Sequence, residues 1–299
     1  MKSLVKLSIL LAASAIPAAA LADKPVEIRF AGEFAGQPFA CATAYEGVGV
    51  TKSTVNVADY RVYVSGLALT KADGSEVAIK LDQDGKWQAA DVALLDFEDA
   101  SGGCVNGTPD TNMSVKGMVP DGDYVGLKVA VGVPFAMNHR DPTLAPSPLN
   151  LTAMFWNWQG GYKFMKVDLA TAGLPIEKAA AEADHTGQPA AGAKPPAKGW
   201  ALHLGSTMCA ADSKTTAPSA CKNPNLIPAA FAAFDPAKNV VVIDPAKALV
   251  EANVDVNAPE TSPGCMSFPK DPDCVTVMPK LGLGYDGAPA GDQAILSSR

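Results

Sequence analysis

Histidine is scarce in this chain: three residues in 299, His139, His185 and His203. No H-x-H, H-x3-H or H-E-x-x-H pair occurs, which excludes the usual zinc centres whose ligands share one strand or one helix. There is no G-x-S-x-G nucleophile turn, no phosphate-binding glycine loop and no C-x-x-C-H haem attachment site. Basic runs are absent too. The net charge is −7, and removing Lys2 and Lys6 with the first 22 residues takes it to −9. A chain so charged, with no cluster of lysines or arginines to neutralise phosphates, is not a nucleic-acid binder. Beyond residue 22 no apolar stretch approaches the length of a membrane span.

What is present begins with the N-terminus. Lys2 and Lys6 precede an apolar stretch from Leu7 to Ile16, and Ala20-Leu21-Ala22 forms an A-x-A site before Asp23. This reads as a secretory signal over residues 1–22, leaving a mature chain of about 277 residues that starts at Asp23. No lipobox cysteine follows, so a lipid anchor is not expected. The mature part, 23–299, is read as one domain.

The six cysteines are Cys41, Cys104, Cys209, Cys221, Cys265 and Cys274. An even number in an exported chain implies disulfides. The short loops 209–221 and 265–274 close most easily, which leaves Cys41 for Cys104. A zinc–thiolate site is the competing reading, and no C-x2-C spacing supports it.

Short alternating or β-branched segments separated by Gly/Pro turns dominate the chain. They include Val26–Phe30, Tyr60–Leu69, Val77–Leu81, Tyr124–Val133, Tyr162–Leu169, Trp200–Gly205 and Val240–Ile243. Lys71–Ser75 reads as a hairpin turn. Helical signals are few: one or two turns after Asp244, and an alanine-rich stretch at Leu174–Asp184. The expected fold is mainly β, an antiparallel β-sandwich with long loops, few short helices and disulfide bracing. Residues 185–199 read as an exposed loop containing His185.

His203 lies in a strand where Ala201 and Gly205 share its face, leaving room around the imidazole. A histidine hydrogen-bonded within a sheet is the ordinary alternative. His139 sits in a loop at a strand end, where sites commonly lie; a turn histidine bonding its own backbone is the alternative there. The densest aromatic stretch is Met154–Phe164, with Trp156, Trp158 and Tyr162, and a core corner leading into a strand is the simpler account of it. Asp96, Glu98 and Asp99 form an acidic cluster whose i/i+2 spacing suits a solvated strand face.

Several motifs in order are similar to one known family. They are Val92-Ala-Leu-Leu-Asp-Phe-Glu98 with Cys104, Gly132-Val-Pro-Phe-Ala-Met-Asn-His139 with Asp141-Pro142, Pro148-Leu-Asn-Leu151, Met154-Phe-Trp-Asn-Trp-Gln-Gly-Gly-Tyr-Lys-Phe164, His203-Leu-Gly-Ser-Thr207 with Cys209, and Cys221-Lys-Asn-Pro-Asn225. Together they resemble the MbnP-like proteins, also called metallo-mystery pair four-Cys motif proteins, over about residues 26–285. The resemblance implies a periplasmic copper-binding protein of copper homeostasis, itself no enzyme, acting with a di-haem MauG/cytochrome c peroxidase-type partner that oxidises a tryptophan to kynurenine. It places the metal ligands on His139 and His203. Trp87 and Trp158 are the leading candidates for the modified tryptophan, ahead of Trp156 and Trp200. It matches the family's four cysteines to Cys41, Cys104, Cys209 and Cys221, with Cys265 and Cys274 an additional pair. Imidazole nitrogens serve copper well. An indole offers only an N–H donor, whereas kynurenine carries an aryl amine. A copper-dependent redox enzyme and a metal-free structural protein are the alternatives from other classes.

Overall fold

The structure is a computed structural model that describes residues 22–157, 159–174, 199–213 and 216–299. The signal segment, the helix expected at Leu174–Asp184 from residue 175 onward, His185 and Trp158 lie outside the described residues.

Two large sheets pack face to face. The first is built around Ser53–Thr70, an 18-residue strand rich in β-branched and aromatic side chains. Its path runs Ile227–Phe231, Gly126–Val131, Ser53–Thr70, Met165–Ala170, Trp200–Leu204, Gly264–Cys265, and the long strand also pairs with Ala44–Val48, Glu76–Ala78 and Val92–Asp96. Register shifts between Lys128 and Ala130 and between Asp168 and Leu169 mark irregularities in its pairing. The second sheet orders Leu296–Ser298, Val241–Ile243, Asp23–Phe34, Ser114–Pro120 and Lys80–Leu81. The expected sandwich is therefore present. Its pairing is antiparallel except at Asp23–Phe34 with Val241–Ile243 and Trp200–Leu204 with Gly264–Cys265, which run parallel.

The sheets close on apolar side chains. Tyr60, Val62 and Val64 from one strand and Ile28, Phe30 and Phe34 from another are at most 4% exposed. A Cβ on Gly32 would stand 2.8 Å from the Phe97 ring, so glycine is what lets that ring lie on the backbone. The Tyr60 hydroxyl donates to the Ile243 carbonyl, bridging the sheets at 2.7 Å.

The stretch Val77–Leu81, expected as one strand, is split. Glu76–Ala78 closes the hairpin on the first sheet, while Lys80–Leu81 pairs with Ser114–Pro120 in the second. The turn after Asp244 is a 3-10 helix, Pro245–Ala248, whose Asp244 carboxylate accepts from the Ala246 amide as expected of a cap. All three disulfides form with the expected pairing: Cys41–Cys104, Cys209–Cys221 and Cys265–Cys274.

Candidate metal centre

A row of ionisable residues crosses the first sheet at one register. Asp96 is directly opposite Arg61, Arg61 opposite Lys166, and Lys166 opposite His203. Directly opposed residues share a face, so these four side chains stand in a line. Asp59 and Asp168 form a second pair one step along the same face. All six residues are at most 9% exposed. The Asp59 carboxylate is paired with both Arg61 and Lys166, and Lys166 also bonds Asp168 at 2.8 Å. A loop after Phe97 covers the row. Asn106 donates from its amide to Asp168 at 3.1 Å, and its carbonyl accepts from Arg61 at 3.2 Å.

This overturns the solvated reading of the acidic cluster. Asp96 and Glu98 are buried, and of the three only Asp99 is exposed. Arg61 and backbone donors make the burial tolerable: Glu98 accepts from the amides of Ala100 and Thr108. Burial, with Glu98 nearby, pushes the Asp96 carboxyl up to about 8. Asp168 goes the other way. Burial raises it, but Lys166 and His203 together outweigh that and hold it well below the usual carboxylate range.

His203 ends the row. Its Nε2 lies 2.6 Å from Asp168 Oδ1. Burial pulls the imidazole's pKa down, Asp168 opposes without overcoming it, and Lys163 and Lys166 push further down. A neutral ring beside an ionised carboxylate must hold its proton on Nε2 and donate it to Asp168. That leaves the lone pair on Nδ1, which is buried without a hydrogen-bond partner among the described residues. Across the strand, Trp200 packs its ring against Gly264, whose added Cβ would lie 2.9 Å from it.

His139 is reached from another direction. Pro134 fixes the entry to a single helical turn, Phe135–Asn138, and His139 follows as its C-cap. Met137 and Asn138 point inward. The Asn138 amide is oriented from both sides: its oxygen accepts from the Tyr162 backbone at 2.8 Å, and its nitrogen donates to Ser206 Oγ at 2.7 Å. The same nitrogen lies 3.3 Å from His139 Nε2. An amide donor facing Nε2 assigns the lone pair to Nε2. Cys221 Sγ is also 3.3 Å from that nitrogen, and Phe135 packs its ring edge-on at 5.1 Å.

Ser206 ties the two histidine segments together. It follows His203 by three residues, receives the Asn138 amide, and donates to the Gly160 carbonyl at 3.2 Å. Trp156 lines the same seam. Its ring lies where a Cβ on Gly205 would be 2.4 Å away, and it contacts Phe268 at 5.4 Å. The space expected around His203 at position 205 is thus taken by an indole. Trp87 lies elsewhere, half-buried under the Lys86 ammonium, which is 4.9 Å from its ring centroid. The sequence reading missed Lys166, Asp168, Asn138, Ser206 and the position of Trp156. The alternation of Lys166 and Asp168 with Met165, Val167 and Leu169 was the available signal.

These features define the chain as a disulfide-braced β-sandwich with an imidazole nitrogen buried at the end of an ionic row. A family model for MbnP matches residues 23–267, and the chain belongs to the MbnP family. Among solved structures it is similar to MbnP from Methylosinus trichosporium, with 31% sequence identity, a TM-score of 0.76, and coverage of 93% of this chain and 99% of that one. No curated protein matches. The three disulfides and the family together fit an exported chain. Among the described residues no helix is long and apolar enough to cross a membrane.

Proposed function

We propose that this chain is a periplasmic copper-binding protein, a carrier or buffer of copper and not a catalyst. The carrying observation is the buried, unpartnered Nδ1 of His203, fixed by the Asp168 bond on its other nitrogen. A metal-ligating histidine is typically held in this way by a carboxylate on the far nitrogen. The residues fit copper: two imidazoles, His203 through Nδ1 and His139 through Nε2, on segments joined by Asn138 and Ser206. Asp168 is itself held by Lys166 and Asn106, so the His203 ring has one favoured orientation.

A third nitrogen is expected from a tryptophan converted to kynurenine by a di-haem MauG-like partner. That residue is sought in the aromatic stretch Trp156–Trp158, where the packing of Trp156 on Gly205 supports the assignment; Trp87 is the remaining candidate. Bound copper would be held and released by these nitrogens, with burial keeping His203 neutral.

Protein made with its partner should carry copper, and one tryptophan should gain an oxygen and lose a carbon in peptide mass mapping. His139→Ala or His203→Ala should each remove most of the copper while circular dichroism stays unchanged, and His185→Ala should be silent. Full copper in a folded His139/His203 double variant would refute the assignment.

A further inference from the structure

We propose a second, redox-gated metal site, in which Cys209 and Cys221, once reduced, join His139 in binding a soft or borderline cation. The ligand atoms of these three residues all lie within 4.8 Å of one another, with His139 Nε2 3.3 Å from Cys221 Sγ. Two thiolates and an imidazole are a donor set for Zn2+ or Cu+. The site shares His139 Nε2 with the copper site proposed above, so one imidazole serves only one of the two at a time, and it differs from that site in using neither His203 nor a modified tryptophan.

Exposure sets this bridge apart. Cys41 is 7% exposed and Cys104, Cys265 and Cys274 are 0% exposed, whereas Cys209 and Cys221 are both half-buried. Exchange requires a thiolate to reach a disulfide sulfur, so a dithiol reductant meets this pair first. Cys41 and Cys104 form a comparable cluster with Glu98, but all three residues are buried.

The fold also keeps the two sulfurs together after the bond breaks. Thr207–Ala210 and Ala220–Asn223 make a two-stranded hairpin in which Cys209 is directly opposite Cys221. The pairings Thr207↔Asn223 and Ala210↔Ala220 flank them, and the Asn223 amide donates to Thr207 Oγ1 at 3.1 Å. His139 is held from outside the hairpin by the Phe135–Asn138 turn, so it does not move away when the bridge opens.

In the reducing step a dithiol transfers two electrons and two protons. The S–S bond becomes two S–H groups, and the reductant closes to its cyclic disulfide. Binding M2+ then releases two protons as two metal–sulfur bonds and one metal–nitrogen bond form. Oxidation of the two bound thiolates by a disulfide oxidant, which takes up the two electrons, and two protons from solvent, to become a dithiol, would re-form the S–S bond and release the cation.

The test uses the full mature protein. After limited dithiol treatment and anaerobic desalting, alkylation mapping should find two thiols, Cys209 and Cys221. Co2+ titration should then give a thiolate-to-cobalt charge-transfer band at one Co2+ per chain, displaced by Zn2+ and absent from the oxidised protein. His139→Ala should weaken Co2+ binding by more than an order of magnitude, and the folded Cys209→Ser/Cys221→Ser double variant should show no band. His203→Ala should keep the band while losing copper in the oxidised form, which separates this site from the copper site. A bridge that opens only on unfolding, a reduced pair that gives no band, or a band indifferent to His139→Ala overturns the proposal.

Discussion

Asp96 shows how far burial can invert the character of a residue. Its carboxyl is raised to about 8 by burial and by Glu98, against an ordinary value near 3.9 in an unfolded chain. A folded-state pKa above the unfolded one favours the protonated fold. That contribution is fully present below about pH 4 and is lost as pH rises toward 8. Asp96→Asn mimics the protonated state. It should leave melting near pH 4 almost unchanged and raise stability at pH 8 by about 1–3 kcal/mol, at roughly 2–4 °C per kcal/mol. Thermal melts of both proteins across this range would check it; a variant less stable at pH 8 would contradict it. The sequence could not announce this. Asp96 and Glu98 at i/i+2 look like any solvated face, and what covers them is a loop whose path depends on Cys41, over sixty residues earlier. The cysteine pairs, by contrast, were legible, since two short loops leave one partner for each remaining cysteine.

At the scale of elements, strands were legible from alternation, and most segments fall where the β-branched residues put them. What was not legible is how a strand is shared. The 18-residue Ser53–Thr70 strand is long enough to pair in turn with Ala44–Val48, Val92–Asp96 and Glu76–Ala78, and Lys80–Leu81 leaves its hairpin for the other sheet. The Trp156 contact depends on a glycine in another strand's exit, which no local pattern marks. Gly205→Ala would place a methyl 2.4 Å from the Trp156 ring and 2.8 Å from the Tyr162 carbonyl. Neither neighbour can yield freely, since Tyr162 is fully buried. Overpacking of this kind costs about 1–3 kcal/mol. Denaturant midpoints should show that loss, whereas Gly122→Ala, where nothing approaches closer than 3.7 Å, should stay within about 0.5 kcal/mol. Equal midpoints for the two variants would mean that the indole is not seated on Gly205.

At the scale of the whole molecule, the two sheets account for the core, and the disulfides hold what the sheets do not. Cys41–Cys104 spans 63 residues, against 12 and 9 for the other two bridges. In the chain-entropy account the long bridge stabilises by roughly 4 kcal/mol and the shorter ones by about 3 kcal/mol or slightly less. The long bridge also anchors the cover of the ionic row: the Gly103 amide donates to the Cys41 carbonyl at 2.7 Å, and Asn106 donates to Ala58 at 3.0 Å. Without that anchor, water reaches Arg61, Asp59, Lys166 and Asp168, and the environment that keeps His203 neutral is lost. Cys41→Ala/Cys104→Ala should therefore cost more stability than Cys209→Ala/Cys221→Ala, by about 1 kcal/mol from loop length alone. It should also speed hydrogen exchange at Asp59, Arg61 and Lys166. The Cys209/Cys221 variant should leave those amides protected, because its hairpin is a separate two-stranded sheet. If the two double variants lose equal stability and the row stays protected in both, the sheet alone holds the row, and the bridge contributes only its loop closure.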